Sequence, residues 1–329
     1  MSEPTYTSHE HSPPLSVSST SAGGEITPSA LQIWWRSIRP ATLWAGAAPV
    51  FVGAGLAAES GVSWSFSSGV TLLAALVGAL LIQVGCNLIN DYEDFERGAD
   101  DERRLGPARA AARGWLSPAQ LKRGARLCLG IAGAIGVYLT WVGGWPILAL
   151  GVASLIAAYA YTAGPLPLAY LGLGDLFVIL FFGWGAVGGT AWLLHPGLTL
   201  EMLIAGGAVG ALAAAILVVN NLRDRHGDAE SGKRTLAVRF GATFTRCEYT
   251  ALILTAFISV GVMSLYNERW GWAAPLVLSP LAIMRIRQVW LMDGAALNPL
   301  LGKTAQLELL FCLTFTAGLM IEAAQRTGG

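Results

Sequence analysis

Charged residues are scarce in this sequence. Only 13% of the 329 residues are Asp, Glu, Lys or Arg, whereas 54% are hydrophobic. A soluble chain of average composition carries about 25% charged residues. The net charge is zero, which gives no bulk attraction to nucleic acid. This composition excludes an ordinary soluble domain and predicts an all-α polytopic membrane protein.

Cysteine is also scarce, with four residues in the chain. They form no CxxC pair and no spacing typical of metal ligands, so we interpret them as small apolar side chains. Glycine, by contrast, is abundant at 40 residues. That abundance is typical of membrane helices that pack through small residues.

The first 30 residues lack an apolar run and are rich in Ser, Thr, Pro and Glu. They predict a disordered tail rather than a secretory signal, because no hydrophobic segment follows the start. A transit peptide would be rich in arginine, and the first arginine is Arg36. Residues 31–329 are predicted to form a single membrane-embedded domain.

Apolar stretches long enough to cross a bilayer follow one another along the rest of the chain. Nine membrane helices around a central cavity are expected, the third and fourth joined by a tight turn. The eighth stretch contains two arginines, Arg285 and Arg287. The predicted spans are 41–58, 69–89, 125–142, 146–162, 174–194, 201–221, 248–266, 272–291 and 306–323.

The basic residues of the connecting segments predict the orientation. With nine spans, all Lys and Arg residues except Arg269 and Arg326 fall on one side of the membrane. Basic residues concentrate on the cytoplasmic side. The sequence therefore predicts a multi-pass protein of the bacterial inner membrane, with its N-terminus and its long charged loops in the cytoplasm.

Two of these loops are acidic as well as basic. The first reads NLINDYEDFERGADDERRLGPARA over residues 87–110, and the second reads NNLRDRHGDAESGKRTLAVR over residues 220–239. Each begins where an apolar stretch ends, and each opens with asparagine followed by spaced aspartates. Four predicted helices separate them, so they are expected to form two half-sites that face one cavity.

The aspartate spacing indicates metal binding. Asp91 and Asp94 are three residues apart, and Asp224 and Asp228 are four apart, so each pair shares a helical face. Asp100 follows a glycine, at which the chain can turn back. Clustered carboxylates repel one another unless a cation lies between them. Mg²⁺ suits such clusters, and the flanking basic residues can hold a diphosphate.

A simpler interpretation treats both loops as solvated segments whose charges only set the topology. For the arginines alone, this interpretation is as good as the functional one. It explains the aspartates less well, because acidic residues contribute little to topology.

At these motifs the sequence resembles the UbiA superfamily of intramembrane aromatic prenyltransferases, over about residues 34–323. The resemblance rests on IRPATLWAGAAPVFVG (38–53), the two acidic loops, and YTAGPLPLAYLGLGDLFVILFFG (161–183). The common form of the family places an aspartate where Gly98 stands. The longer spacing to Asp100 and the following RLGPAR resemble the branch that uses 1,4-dihydroxy-2-naphthoate. Ala163 replaces a common glycine of the relatives.

The resemblance implies transfer of a polyprenyl group from its diphosphate to 1,4-dihydroxy-2-naphthoate with decarboxylation, on the path to menaquinone or phylloquinone. It also implies two Mg²⁺ ions bridged by the substrate diphosphate. The implied ligands of the first are Asp91, Asp94 and Asp100 supported by Asn90. Those of the second are Asp224 and Asp228 helped by Asn220 or Asn221. Further diphosphate contacts are expected from Arg104, Arg109, Arg223 and Lys233, of which Arg109 and Lys233 are favoured.

An allylic cation must be shielded from water, and aromatic faces can stabilise it. The candidate rings are Tyr92, Tyr159, Tyr161 and Trp184, although most aromatic residues of a membrane protein are interfacial anchors. Tyr161 is favoured as a catalytic residue because of its loop. Asp175 either orients the acceptor or caps a helix.

Three alternatives remain open at this point. The same chemistry could act on another aromatic acceptor, such as 4-hydroxybenzoate or homogentisate. A divalent-cation transporter would also carry acidic clusters, but both clusters lie on one predicted side and the spans have almost no polar residues at mid-depth. The third alternative is a non-catalytic scaffold.

Overall fold

The protein is all-helical in the part of the chain that its computed structural model describes, residues 28–100 and 105–327. Of the tail predicted at 1–30, residues 1–27 lie outside the described residues. The α-helices are α1 (Ala30–Ser37), α2 (Pro40–Glu59), α3 (Phe66–Glu96), α4 (Pro118–Gly143), α5 (Trp145–Ala160), α6 (Gly174–Val178), α7 (Gly189–Leu194), α8 (Leu200–Glu230), α9 (Leu236–Asn267), α10 (Ser279–Leu291) and α11 (Asn298–Thr327). A π-helix (Ile179–Gly188) joins α6 to α7, and 3₁₀ segments (Trp270–Leu278 and Gly294–Leu297) precede α10 and α11.

Seven described helical segments are long and apolar enough to cross a membrane, judged by length and composition. The protein is therefore an integral multi-pass membrane protein, but the predicted count of nine spans is not confirmed. The span predicted at 146–162 corresponds to α5, which has 16 residues. The span predicted at 272–291 is divided between a 3₁₀ segment and the 13 residues of α10. Pro275 lies inside the 3₁₀ segment, where it lacks the N–H needed for a regular α-helical hydrogen bond.

Helix α8 lies at the centre of the bundle, and its first 20 residues are mostly Ala, Gly, Val and Leu. Small residues let neighbouring backbones approach closely. A Cβ atom added to Gly183 of the π-helix would lie only 2.3 Å from the carbonyl oxygen of Gly206 on α8. Glycine at this crossing is therefore required for the π-helix to pack against α8, and this packing fixes one wall of the cavity described below.

Helices α3 and α8 both extend beyond their apolar stretches into the acidic segments. Each has 31 residues, or about 46 Å of helix, against a hydrocarbon core of about 30 Å. After α3, Gly98 turns the chain with a φ of +69°, and after α8, Gly232 does so with a φ of +79°. Asp91 and Asp94 of the first motif and Asp224 and Asp228 of the second therefore lie on the last turns of their helices, at the same end of the bundle, whereas Asp100 follows the end of α3.

Arg269 and Arg326, the two basic residues predicted to lie on the other side of the membrane, are at the opposite end of the bundle. Arg269 forms an ion pair with Glu59 at 2.7 Å, and Arg326 pairs with Glu322. Glu322 also accepts a hydrogen bond from the backbone N–H of Gly271 at 2.7 Å. Both arginines are thus neutralised by acids that join α2, α11 and the 3₁₀ segment.

Candidate active site at the acidic helix ends

A cavity of about 600 Å³ lies between α2, α3, α4, α5, the α6–α7 segment and α8. Its depth is lined mainly by apolar side chains, and its mouth is polar. This volume lies within the usual range for small-molecule sites. The predicted site residues that line it are Asn90, Asp94, Arg109, Tyr161, Asn220, Asn221, Asp224, Asp228 and Lys233.

Lys233 joins the two acidic motifs across the mouth of the cavity. Its Nζ atom lies 3.0 Å from Oδ1 of Asp94 at the end of α3 and 3.9 Å from Oδ1 of Asp228 at the end of α8. All three side chains are largely buried. The two motifs, which are separated by more than 100 residues in sequence, therefore converge on one site.

Tyr170, from the loop between α5 and α6, supports the same centre. Its hydroxyl donates a hydrogen bond to Oδ1 of Asp94 at 3.1 Å, and Lys233 lies over its ring at 5.1 Å from the centroid. Burial and the neighbouring Asp94 carboxylate raise the pKa of the Tyr170 phenol above its ordinary value. The phenol therefore keeps its proton at physiological pH and remains a donor to Asp94.

Asp91 is placed differently from the other motif aspartates. It is 1% exposed, and its two carboxylate oxygens accept hydrogen bonds from the backbone N–H groups of Ala110 and Ala111, both at 3.2 Å. It is not among the described residues that line the cavity. Its observed contacts anchor the end of the first acidic loop onto α3.

Asp100 and Arg109 form a second link within the first acidic loop. The Nε atom of Arg109 lies 3.4 Å from Oδ2 of Asp100. Arg109 lines the cavity, whereas Asp100 is 5% exposed and lies behind it. Arg104 lies outside the described residues.

Arg223 is buried on the second motif and holds its polar groups together. Its guanidinium donates to Oδ1 of Asp224 at 2.8 Å, to Oδ1 of Asn220 at 2.7 Å and to Oδ1 of Asn298 at 2.9 Å. It is 2% exposed and is not among the described cavity-lining residues. Its geometry supports an indirect role, in which it positions Asp224 and Asn220.

The comparisons with known proteins agree with this arrangement. Residues 47–315 match the model of the UbiA prenyltransferase family. The chain belongs to the UbiA prenyltransferase family. The 1,4-dihydroxy-2-naphthoate octaprenyltransferase of Escherichia coli (strain K12) is 36% identical over 312 residues, which cover 89% of this chain and 96% of that protein. The enzyme of the same name from Haemophilus influenzae is 33% identical and covers 88% and 96%.

A solved UbiA homolog from Archaeoglobus fulgidus bound to DMAPP and Mg²⁺ has the same fold. It superposes with a TM-score of 0.59 at 19% identity, over 88% of this chain and 99% of that chain. The protein is thus an α-helical UbiA-type prenyltransferase.

The residues at the mouth of the cavity fit the divalent metal seen in that UbiA homolog. The side chains there offer carboxylate and amide oxygens, which are the ligands that Mg²⁺ prefers. Among the described residues, no group of three or more His, Cys, Asp or Glu side chains is arranged to hold a metal ion. A Mg²⁺ site that takes part of its coordination from substrate phosphates and water is compatible with such an arrangement.

Sequence reasoning missed several residues of this UbiA site. Tyr170 lies in a segment that had been noted for its resemblance, but nothing in its spacing indicates contact with Asp94. Thr162 donates a hydrogen bond to Oδ1 of Asn90, and Asn298 bonds both Arg223 and the carbonyl of Leu105. These partners come from distant segments, so no local pattern could reveal them.

Arg39 was counted among the basic residues that set the topology and lies in the first segment of the resemblance, but it was not predicted as a site residue, and it lines the cavity. Its backbone is left-handed, with a φ of 55°, a conformation that disfavours residues other than glycine. Its guanidinium donates to the carbonyl of Asn87 at 3.3 Å, and the Asn87 side chain bonds Ile38 and Thr42 on either side. Backbone strain held by surrounding contacts is typical of functional positions.

Two substitutions at Arg39 are expected to separate its charge from its backbone strain. Arg39→Gln and Arg39→Gly both remove the cation from the cavity, so both should lower kcat/KM roughly tenfold or more. Arg39→Gly also relieves the left-handed strain and should therefore be more stable than Arg39→Gln by about 1 kcal/mol. Prenyl-transfer rates and thermal midpoints in detergent measure the two effects. Wild-type activity in both variants would exclude Arg39 from the site.

Proposed function

We propose that this prenyltransferase moves a polyprenyl group from polyprenyl diphosphate to 1,4-dihydroxy-2-naphthoate, with loss of the ring carboxylate as CO₂. The product would be demethylmenaquinone or its phylloquinone equivalent. The observation that carries the proposal is the convergence of Asp94 and Asp228 on Lys233 above a deep apolar cavity that Asp224 also lines. The names of the Escherichia coli and Haemophilus influenzae relatives support the choice of acceptor.

The proposed reaction depends on Mg²⁺, with two ions bridged by the substrate diphosphate. Asp94 with Asn90 would hold one ion, and Asp224 and Asp228 with Asn220 or Asn221 would hold the other, because all of these side chains line the cavity mouth. Bound Mg²⁺ neutralises the diphosphate as it leaves. Asp91 and Asp100, which the sequence also assigned to the metal, are buried behind this surface.

The basic residues have a separate role in this proposal. Lys233 and Arg109 both line the cavity and would contact diphosphate oxygens directly. Arg223 keeps Asp224 and Asn220 oriented toward the same place. Together they stabilise the negative charge that develops on the diphosphate when the allylic carbon–oxygen bond breaks.

The cavity below the mouth provides the conditions that an allylic cation requires. Its walls are mostly apolar, which excludes water from the cation until the acceptor ring attacks. Tyr161, at the end of α5, presents its ring to this space and would stabilise the cation through its aromatic face. The prenyl chain would extend downward between the helices.

The orientation in the membrane is part of the proposal. The acidic motifs lie at the same end of the bundle as most Lys and Arg residues, and the two arginines of the other end are paired with acids. Since basic residues mark the cytoplasmic side, the active site would open to the cytoplasm of a bacterial inner membrane.

An acceptor assay with the full-length protein tests the proposed function. Purified membranes containing the protein receive labelled polyprenyl diphosphate and one acceptor at a time: 1,4-dihydroxy-2-naphthoate, 4-hydroxybenzoate or homogentisate. We expect prenylation and CO₂ release with the naphthoate only, abolished by EDTA and restored by Mg²⁺. Prenylation of 4-hydroxybenzoate in preference to the naphthoate would contradict the acceptor assignment, and turnover that is unaffected by EDTA would contradict the metal assignment.

A further inference from the structure

The cavity has a second polar level below its acidic mouth. Asp175 occupies the first turn of α6 and lines the cavity. A Cβ atom on the adjacent Gly174 would lie 3.1 Å from the side chain of Leu217 on α8. Leu217 precedes Asp224 by seven residues, which corresponds to about 10 Å along the helix. The backbone beside Asp175 therefore lies about two helical turns deeper along α8 than Asp224 at the mouth.

Asp175 is buried without a full set of hydrogen bonds. It is 6% exposed, and its Oδ1 atom has no hydrogen-bond partner among the described residues. Leaving a buried carboxylate oxygen unpaired is unfavourable. A group that persists in this state beside an open cavity is suited to accept a hydrogen bond from a ligand.

The surroundings of Asp175 suit an aromatic ligand. Phe177 and Phe181 stack on one another at a centroid distance of 6.0 Å, and both line the cavity on the same helical segment. The hydroxyl of Tyr161 lies 3.2 Å from the position of a Cβ atom on Gly174. A planar ring placed here would contact aromatic side chains while its polar edge reached Asp175.

We propose that Asp175 accepts a hydrogen bond from a ring hydroxyl of the aromatic acceptor and so holds the ring below the diphosphate. This inference rests on the proposed function and adds an acceptor-binding residue to it. In 1,4-dihydroxy-2-naphthoate the 1-hydroxyl lies next to the carboxylate and bonds to it internally. The 4-hydroxyl is free to donate to Asp175.

Charge favours the same orientation. The carboxylate of the acceptor and that of Asp175 repel each other, so the acceptor carboxylate points away from Asp175. A hydrogen bond from the 4-hydroxyl to a carboxylate also raises the electron density of the ring, which favours attack on the allylic cation. Asp175 thereby contributes to orientation and to reactivity through one contact.

Paired inhibitors test this contact. The full-length protein is assayed with 2-naphthoate, 4-hydroxy-2-naphthoate and 1-hydroxy-2-naphthoate as competitors of the acceptor. A hydrogen bond to a charged group corresponds to about a tenfold gain in affinity. In the wild type, the 4-hydroxy compound should bind about tenfold more tightly than 2-naphthoate, whereas the 1-hydroxy compound should gain little.

The variants then locate the effect. In Asp175→Leu the tighter binding of the 4-hydroxy compound over 2-naphthoate should disappear, and in Asp175→Asn this difference in affinity should be reduced. The affinity for polyprenyl diphosphate should be unchanged in both variants. Glu248→Gln is the matched control, because Glu248 lies on α9 close enough to interact with Asp175 electrostatically but is not among the described cavity-lining residues. This variant should keep the wild-type ratio of the affinities for 4-hydroxy-2-naphthoate and 2-naphthoate.

The outcomes distinguish this inference from the proposed function. If the wild type prenylates the naphthoate but Asp175→Leu retains the 4-hydroxyl advantage, the role of Asp175 is wrong and the proposed function stands. Equal weakening of all three inhibitors in Asp175→Leu would also overturn the contact. If the wild type uses 4-hydroxybenzoate instead, the acceptor assignment fails. The role of Asp175 is then decided by the ratio of the affinities for 4-hydroxybenzoate and benzoate, measured in the wild type and in Asp175→Leu.

Discussion

Replacing Asp94 by alanine is expected to lower kcat/KM roughly a thousandfold while the protein still folds and inserts. Asp94 lies at the mouth of the cavity, where it contacts Lys233 and Tyr170. Removing its carboxylate removes a proposed Mg²⁺ ligand and changes the charge beside the diphosphate. The rate of prenyl transfer at saturating acceptor, with the amount of protein in the membrane as reference, measures the effect.

Asp91→Ala provides the matched comparison, only three residues away on the same helix. Its carboxylate holds the N–H groups of Ala110 and Ala111, so its loss leaves two buried donors unsatisfied, at a cost of about 1–3 kcal/mol each. The main expected effect is a lower thermal midpoint, with residual activity well above that of Asp94→Ala below that midpoint. An inactive Asp91→Ala protein with an unchanged midpoint would show that Asp91 acts in catalysis instead.

Substitution of Lys233 should affect two ligands in opposite directions. Lys233→Met removes the cation that lies between Asp94 and Asp228. The diphosphate then loses a charged contact, so its KM should rise and kcat/KM should fall about a hundredfold. The two carboxylates lose a competing cation, so their affinity for Mg²⁺ alone should increase.

Lys122→Met is the control for this second experiment. Lys122 pairs with Glu96 at 2.8 Å, but both side chains are about 40% exposed, and exposed ion pairs contribute little. The variant should behave as wild type in titrations with Mg²⁺ and with diphosphate. If Lys233→Met weakened Mg²⁺ binding and diphosphate binding alike, the proposed competition between Lys233 and Mg²⁺ for Asp94 and Asp228 would be incorrect.

The sequence predicted the helical membrane class and the family because these depend on composition and on local motifs. Long apolar runs bounded by charged loops gave correct positions for most helices. The eighth predicted span is not confirmed as one continuous α-helix, because a 3₁₀ segment that contains Pro275 forms its first part. Hydropathy records how apolar a segment is, but it does not record which helical form the backbone adopts.

The candidate site was only partly predictable. The spacing of the aspartates placed both motifs on helical faces, and the residues facing the cavity include Asp94, Asp224 and Asp228. Spacing cannot separate Asp91 from Asp94, because their difference arises from backbone groups that return to α3 some 20 residues later. The contacts of Tyr170 with Asp94 and of Arg39 with Asn87 likewise depend on packing between distant segments.

The overhang of α3 and α8 beyond the hydrocarbon core has a kinetic consequence. A polyprenyl diphosphate can keep its tail among lipid chains while its head reaches the aspartates, without ever dissolving in water. The quantity that governs saturation is therefore the number of substrate molecules per unit area of bilayer. Diluting that bilayer with inert lipid slows the enzyme, even when the amount of substrate in the vessel stays the same.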